Sequence, residues 1–151
     1  MIFAHPATGK KSGVARITLR NHSDEPAAEL SLLLYRLMSV ERIGAALGSE
    51  AESRGQQSVV VARDGRLSGP ELTDALIRGL VATGRDVKDI GQVPTPVLYF
   101  AAQYLDTSSG VMVTGSHNPP EYNGLKVVLD GETLSGDAIQ GLYRRISSGD
   151  L

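Results

Sequence analysis

The residues of this sequence best suited to chemistry are a serine and its polar neighbours in the last third of the chain. Ser116 follows the apolar run Gly110-Val111-Met112-Val113. Gly115 permits close backbone approach, Thr114, His117 and Asn118 supply polar groups, and Pro119-Pro120 stiffen the chain beyond. Such a serine is presented at a strand end. Three readings compete for it. A turn rich in caps and prolines needs no chemistry at all. A hydrolase triad fits less well, because Gly115-Ser116-His117 is not the strand–elbow–helix G-x-S-x-G pattern and no third group is identifiable. A serine that carries a phosphoryl group fits better: loop amides lie nearby, and Lys126 is close enough in sequence to return on the next strand as a point charge. Phosphoryl transfer asks a protein mainly for positioning and charge stabilisation.

A second loop, Arg63-Asp64-Gly65-Arg66-Leu67-Ser68, follows the run Ser58–Ala62. Its arginines could meet phosphate, but two arginines flanking Asp64 also suit a cross-link between the loop and neighbouring backbone, and the structural reading is preferred. The string Thr8-Gly9-Lys10-Lys11-Ser12 brushes against a phosphate-binding P-loop. It has Ala4 where the first glycine belongs and Lys11 where Ser or Thr should follow the lysine, so it is rejected.

The elements that must position these loops follow from periodicity. Ser39 is the predicted N-cap of an amphipathic helix with Val40, Ile43, Ala46 and Leu47 on one face, ending near Gly55. Ser58–Ala62 is β-branched and apolar without alternation, as a strand buried on both faces should be. Ser68-Gly69-Pro70-Glu71 reads as a capping box opening a helix to about Thr83, with Leu72, Leu76 and Leu80 inward. Val87 to Ile90 is a second strand. Thr95 then caps a helix with Val97, Phe100, Ala101 and Tyr104 on one face. Gly110–Thr114 and Leu125–Leu129 are further strands, Asp130-Gly131-Glu132 an apparent hairpin turn, and Asp137–Ile146 a final helix after Ser135. Alternating strands and helices with long connections predict a three-layer α/β domain. Ligands of such sheets gather beyond the carboxyl ends of the strands, where both loops lie.

Composition narrows the function classes. The 15 Lys and Arg against 17 Asp and Glu leave a net charge of −2, and with Trp 0, Phe 2 and Tyr 5 a basic, aromatic nucleic-acid surface is not expected. Cys 0 removes disulfide frameworks, thiolate metal sites and cysteine nucleophiles. Seventeen glycines in 151 residues, against the usual ~7%, point to tight loops or close backbone approaches. Residues 1–38 carry five basic and three acidic groups, and up to Arg20 no acidic one, a composition shared by transit peptides and solvated tails, of which the tail is preferred; mobility is expected of residues 1–26. No apolar h-region follows Met1, and the run Ala27–Met38 contains Glu29 and Arg36 and is too short to span a bilayer, so no membrane association and a cytoplasmic location are expected. Leu30–Met38 either packs on the core as a helix or is an unpartnered apolar stretch.

The stretch Thr114-Gly115-Ser116-His117-Asn118-Pro119-Pro120-Glu121-Tyr122-Asn123-Gly124-Leu125-Lys126 resembles the phosphoserine loop of the α-D-phosphohexomutases, the bacterial phosphomannomutase/phosphoglucomutase family. Ile43-Gly44-Ala45-Ala46-Leu47-Gly48-Ser49, Ala62-Arg63-Asp64-Gly65-Arg66-Leu67-Ser68-Gly69 and Val93-Pro94-Thr95-Pro96 are similar to that family's first domain, in the same order. The resemblance implies a three-layer α/β/α domain with a mixed, mainly parallel sheet over residues 39–151, preceded by a non-matching, partly disordered leader over 1–38. It implies an intramolecular phosphotransferase of carbohydrate metabolism that interconverts hexose 1-phosphate and 6-phosphate through a hexose bisphosphate. Ser116 would bear the phosphoryl group, and that phosphate would be a ligand of Mg²⁺. His117 and Lys126 would support proton transfer and phosphate charge, Asn118 would shape the loop, and Arg63, Asp64 and Arg66 match a further phosphate-site loop of the family.

The departures are as informative. Members of that family have four domains around their active site, and this sequence resembles only the first. The aspartate-rich D-G-D-G-D-R metal loop has no counterpart here, Asp130-Gly131-Glu132 being the nearest approach. Without that metal loop Mg²⁺ is expected to bind this chain weakly or not at all, and the sugar-recognition and terminal phosphate-binding loops, which would set substrate specificity, also have no counterpart. The family's opening Tyr-Asp-Ile-Arg-Gly-type segment has no match in residues 1–42. The expected partners are therefore hexose phosphates and the remaining mutase domains, the isolated chain is expected to be inactive, and a truncated, non-catalytic α/β fragment is the alternative.

Overall fold

The computed structural model describes residues 26–120 and 122–151, with side chains from residue 37 onward. The expected mobility of residues 1–26 and the leader's first 25 residues lie outside the described part. A five-stranded sheet of order β2-β1-β3-β4-β5 forms the middle layer. Its strands are β1 (Ser58–Arg63), β2 (Asp86–Gln92), β3 (Gly110–Val113), β4 (Leu125–Leu129) and β5 (Glu132–Thr133). The central strand β1 pairs in parallel with β2 and β3, while β3–β4 and β4–β5 are antiparallel, so the sheet is mixed. The helices are α1 (Pro26–Ser53), α2 (Gly69–Ala82), α3 (Thr95–Tyr104) and α4 (Gly136–Ser148).

Strand alternation sorts the layers, because successive side chains leave opposite faces. Val59, Val61, Val111, Val113, Leu125, Val127 and Leu129 face one way and pack with Val40, Ile43 and Leu47 of α1, Leu72, Leu76 and Leu80 of α2, and Ile139 and Leu142 of α4. Val60, Ala62 and Met112 face the other way, onto Leu98 and Ala101 of α3. The central strands are thus apolar throughout because both faces are covered. At the sheet's far edge Asp130 (φ 52°) and Gly131 (φ 76°) close the two-residue hairpin between Leu129 and Glu132, a turn whose two positive φ angles favour an Asp-Gly pair.

Three local expectations are corrected. Ser39 does not cap α1, which begins at Pro26 and carries Ser39 in its interior. Nothing between Pro26 and Ser39 breaks a helix: the segment has no further proline and no glycine, and Leu, Ala and Arg sustain it. Within it Leu37 packs partly on the core while Met38 stands exposed. Thr95 is the first residue of α3 rather than its cap, which is Pro94 in extended backbone. Finally, α3 turns Leu98, Ala101 and Ala102 inward and leaves Val97, Phe100 and Tyr104 exposed. The helix is apolar nearly all round, so periodicity offers several stripes. The small alanines win because they let α3 sit close over β1 and β3, where Leu98 touches the bare backbone of Gly110.

Candidate functional site

Both loops singled out in the sequence leave the same end of the sheet, Arg63–Ser68 from β1 and Thr114–Gly124 from β3. They are joined there. Asp64 donates its amide to the carbonyl of Val113 at 3.0 Å, and Thr114 donates to Gly124 at 2.8 Å across the base of the serine loop.

Ser116 sits at φ 55°, a left-handed conformation that costs a residue with a Cβ about 1–2 kcal/mol and persists only when its surroundings hold it. Its N–H donates to Thr114 Oγ1 at 2.9 Å. Its carbonyl accepts from Arg66 Nη2 at 3.2 Å. The backbone of the serine is thus held on both sides, while its half-buried side chain makes no hydrogen bond among the described residues. Beyond it, Asn118 bends back so that its N–H and its Nδ2 both donate to Gly115 O, at 3.1 and 2.9 Å.

Arg66 organises the loop from beneath. Nη1 donates to Pro119 O at 2.7 Å, Nη2 to Asn118 O at 2.8 Å as well as to Ser116 O, and Nε to Asp64 Oδ2 at 3.2 Å. Asp64 also accepts the amide of Arg66 at 3.1 Å, which folds the arginine back over its own turn. Gly115 is required here: a Cβ at that position would collide with the guanidinium of Arg66 and the carbonyl of Tyr122. The cross-linking reading of Arg66 and Asp64 is therefore the arrangement present.

Arg63 goes elsewhere. Its side chain lies against Gly69 at the start of α2 and Gly91 of β2, and its guanidinium makes no hydrogen bond or ion pair among the described residues. His117 and Asn118 are exposed on the loop. Lys126 pairs in register with Met112 on β3 and by alternation shares the α3 face of the sheet, at the foot of the serine loop. Neither His117 nor Lys126 has a hydrogen-bond or ion-pair partner among the described residues. The fold thus gathers Ser116, His117, Asn118, Asp64, Arg66 and Lys126 at one end of neighbouring strands and leaves Arg63 on the β2 side of β1.

Two supports escaped the sequence reading. Ser68 does not close its capping box; its hydroxyl donates to Asn123 Oδ1 at 2.9 Å, linking α2 to the base of the serine loop. Thr114 anchors the Ser116 amide. No spacing rule signals a contact such as Ser68–Asn123, made between residues so far apart in sequence. For a metal the described donor set does not fit: among the described residues no three His, Cys, Asp or Glu side chains cluster, and the carboxylate of Asp64 is engaged by Arg66. Mg²⁺ prefers octahedral oxygen ligation, which the described side chains at this loop do not supply. Among the described residues no helix is long and apolar enough to cross a membrane.

Residues 36–151 match the family model described as phosphoglucomutase/phosphomannomutase, alpha/beta/alpha domain I. A phosphomannomutase/phosphoglucomutase of Pseudomonas aeruginosa is 61% identical over 109 residues, which cover 72% of this chain and 24% of that protein. A phosphoglucomutase of Neisseria gonorrhoeae is 53% identical over 100 residues, covering 66% of this chain and 22% of its own length. The crystal structure of a phosphoglucomutase/phosphomannomutase family protein from Burkholderia thailandensis superposes with a TM-score of 0.72 at 52% identity, over 76% of this chain and 27% of that one. The chain spans about a quarter of the length of the relatives it matches.

Proposed function

Because the chain belongs to the phosphoglucomutase/phosphomannomutase family, as its alpha/beta/alpha domain I, we propose that it is the phosphoserine-bearing domain of a phosphohexomutase, active together with the remaining domains of such an enzyme. In this reading the Oγ of Ser116 carries the phosphoryl group. A hydroxyl of a hexose monophosphate attacks it, the P–O bond to Oγ breaks, and a hexose bisphosphate forms. The intermediate then reorients and returns its other phosphoryl group to Oγ, so the phosphate has moved between the 1- and 6-positions and the serine is again loaded.

The observation that carries the reading is the backbone of Ser116, held at positive φ by Thr114 and Arg66 while its hydroxyl has no partner among the described residues. A hydroxyl spent on an internal hydrogen bond would have to break it to accept a phosphoryl group. His117, exposed on the loop next to Ser116, is assigned the proton of the sugar hydroxyl. Lys126 supplies a point charge to the phosphate. Asn118 shapes the loop through its two bonds to Gly115. Mg²⁺, proposed as a partner of the phosphoserine, needs carboxylates beyond the described residues.

The test is complementation. The chain mixed with the remaining domains of a relative should convert hexose 1-phosphate to 6-phosphate, and intact mass should show one phosphoryl group added. Ser116→Ala should abolish both, and robust turnover in that variant would exclude a phosphoserine mechanism. A non-catalytic α/β fragment is the second reading, favoured by the absence of a carboxylate cluster among the described residues, and predicts no conversion in any mixture.

A further inference from the structure

We propose that Arg66, anchored by Asp64, is a positioning residue for Ser116: it sets the serine's backbone by gathering three loop carbonyls and does not itself bind the phosphoryl group. The inference rests on the reading of Ser116 as the phosphoryl carrier, and goes beyond it by assigning an arginine beside a phosphate site to the backbone instead of the phosphate.

The donors of Arg66 are committed within the loop. A guanidinium has five N–H groups in a fixed plane. In Arg66 four hydrogen bonds are made, Nε to Asp64, Nη1 to Pro119 O, and Nη2 to both Ser116 O and Asn118 O. No two-pronged edge is left for a phosphate. The side chain is also withdrawn beneath the loop, 13% exposed, with its Cζ against the bare Cα of Gly115. By contrast Lys126, gathered at the same end of the strands as Ser116, carries donors with no partner among the described residues, so a phosphate has another cation to meet.

The three carbonyls drawn onto Arg66 come from the serine itself and from the residues that close its loop. Turning them inward has two effects. It holds Ser116 in the left-handed region, which an L-residue leaves unless over-determined. It also removes carbonyl oxygens from the outer face of the loop, where their negative ends would oppose a dianionic phosphate. Lysine cannot replace this arrangement, because an ammonium is a point donor and cannot span three carbonyls and a carboxylate in one plane.

The experiment follows amide hydrogen exchange and the Ser116 Cα and Cβ chemical shifts by NMR in the full, unphosphorylated chain and in R66K, R66Q and D64N. The probes are the amides of Asn118 and Tyr122, bonded inside the loop to Gly115 O and Pro119 O, with Val60 in the central strand as the reference. R66K and R66Q should both speed exchange at the loop amides about tenfold while Val60 stays within about twofold, the signature of a local opening. Both should move the Ser116 shifts away from left-handed values. D64N, which keeps the cation and removes its anchor, should change the same amides in the same direction to a smaller extent, and it decides the matter if the Arg66 variants do not fold. Parental protection and shifts in R66K would mean that charge alone suffices, and parental behaviour in D64N would remove the anchor; either overturns the proposal. A ³¹P titration of chain carrying phosphoserine at 116 adds a second arm. A phosphate midpoint raised by about one unit in R66Q and restored in R66K would make Arg66 a direct phosphate ligand, overturning the proposal as well. Failure of the mutase reading shows separately, in Ser116→Ala complementation, and leaves the loop measurement standing.

Discussion

The hydroxyl of Ser68 donates to Oδ1 of Asn123 at 2.9 Å, and through that bond the start of α2 is fixed to the base of the serine loop. Ser68 stands at the N-cap position of α2 without making a cap hydrogen bond, its backbone already helical at φ −77° and ψ −9°. A side chain that usually supports its own helix has been given to a neighbouring loop. Asn123 is 6% exposed, and its Nδ2 has no partner among the described residues, so the Ser68 bond is the one its side-chain amide makes there.

Ser68→Ala should therefore destabilise the domain through Asn123 and not through loss of a cap. Leaving a buried polar group unpaired costs about 1–3 kcal/mol. Urea unfolding should show a lower midpoint at unchanged slope, since the exposed surface on unfolding is the same. The Ser68→Thr variant, which retains the hydroxyl, should recover most of the loss. A Ser68→Ala midpoint equal to that of the parent would mean that the bond contributes nothing.

What the sequence displayed and what it hid divide along physical lines. The buried strands were legible because β-branched runs such as Val59-Val60-Val61 report burial on both faces, and the turn at Asp130-Gly131 because its backbone needs residues that tolerate positive φ. The ends of the sheet that hold Ser116 and Arg66 followed from strand order. The orientation of α3 did not follow, because Val97, Phe100 and Tyr104 repeat at helical spacing as well as Leu98, Ala101 and Ala102 do, and only the close approach to Gly110 selects between them. The division of labour between Arg63 and Arg66 was hidden for the same reason: it depends on Gly91 and Gly115, each remote in sequence from the arginine it contacts.

Two glycines in helices should respond oppositely to alanine. Gly79 of α2 faces α1 so closely that a Cβ would meet the carbonyl of Glu41 and lie 2.7 Å from the amide nitrogen of Ala45. Gly141 of α4 has nothing within 4 Å of that position. In open space Gly→Ala in a helix stabilises by about 0.5–1 kcal/mol through helix propensity. Gly141→Ala should thus raise the melting temperature by a few degrees, of the order of 4 °C per kcal/mol for a domain of this size. Gly79→Ala should lower it, since forcing apart packed backbones costs about 1–3 kcal/mol and exceeds the propensity gain. Calorimetry of the two variants beside the parent checks the sign of each, and equal shifts would refute the close α1–α2 packing.

The two faces of α3 separate in the same way. Leu98 is fully buried against β1 and β3, whereas Phe100 and Tyr104, stacked with ring centroids 5.5 Å apart, are 66% and 76% exposed. Leu98→Ala should cost about 2–5 kcal/mol by the transfer and cavity terms together. Phe100→Ser combined with Tyr104→Ser should cost about 1 kcal/mol or less, the small loss coming from the ring pair. A double variant as damaging as Leu98→Ala in chemical denaturation would return the helix to the orientation its aromatic spacing suggested.

The isolated 151-residue chain should show negligible mutase turnover even with Mg²⁺ and hexose phosphate at saturating concentration. In phosphoryl transfer the protein contributes positioning and charge stabilisation, and well-oriented reacting groups account for about 7–11 kcal/mol of barrier reduction. Among the described residues the backbone of the serine is held in place. The described residues include no cluster of carboxylates, and the chain spans only about a quarter of the relatives in which the activity is named. A phosphoryl group on Ser116 without a fixed sugar hydroxyl in line has only water as acceptor, so the expected product of the chain alone is slow loss of phosphate, not hexose 6-phosphate. A coupled assay for hexose 6-phosphate beside a measurement of free phosphate distinguishes the two. Mutase turnover within about tenfold of an ordinary enzyme rate, ~10 s⁻¹, would mean that this one domain orients its own substrate.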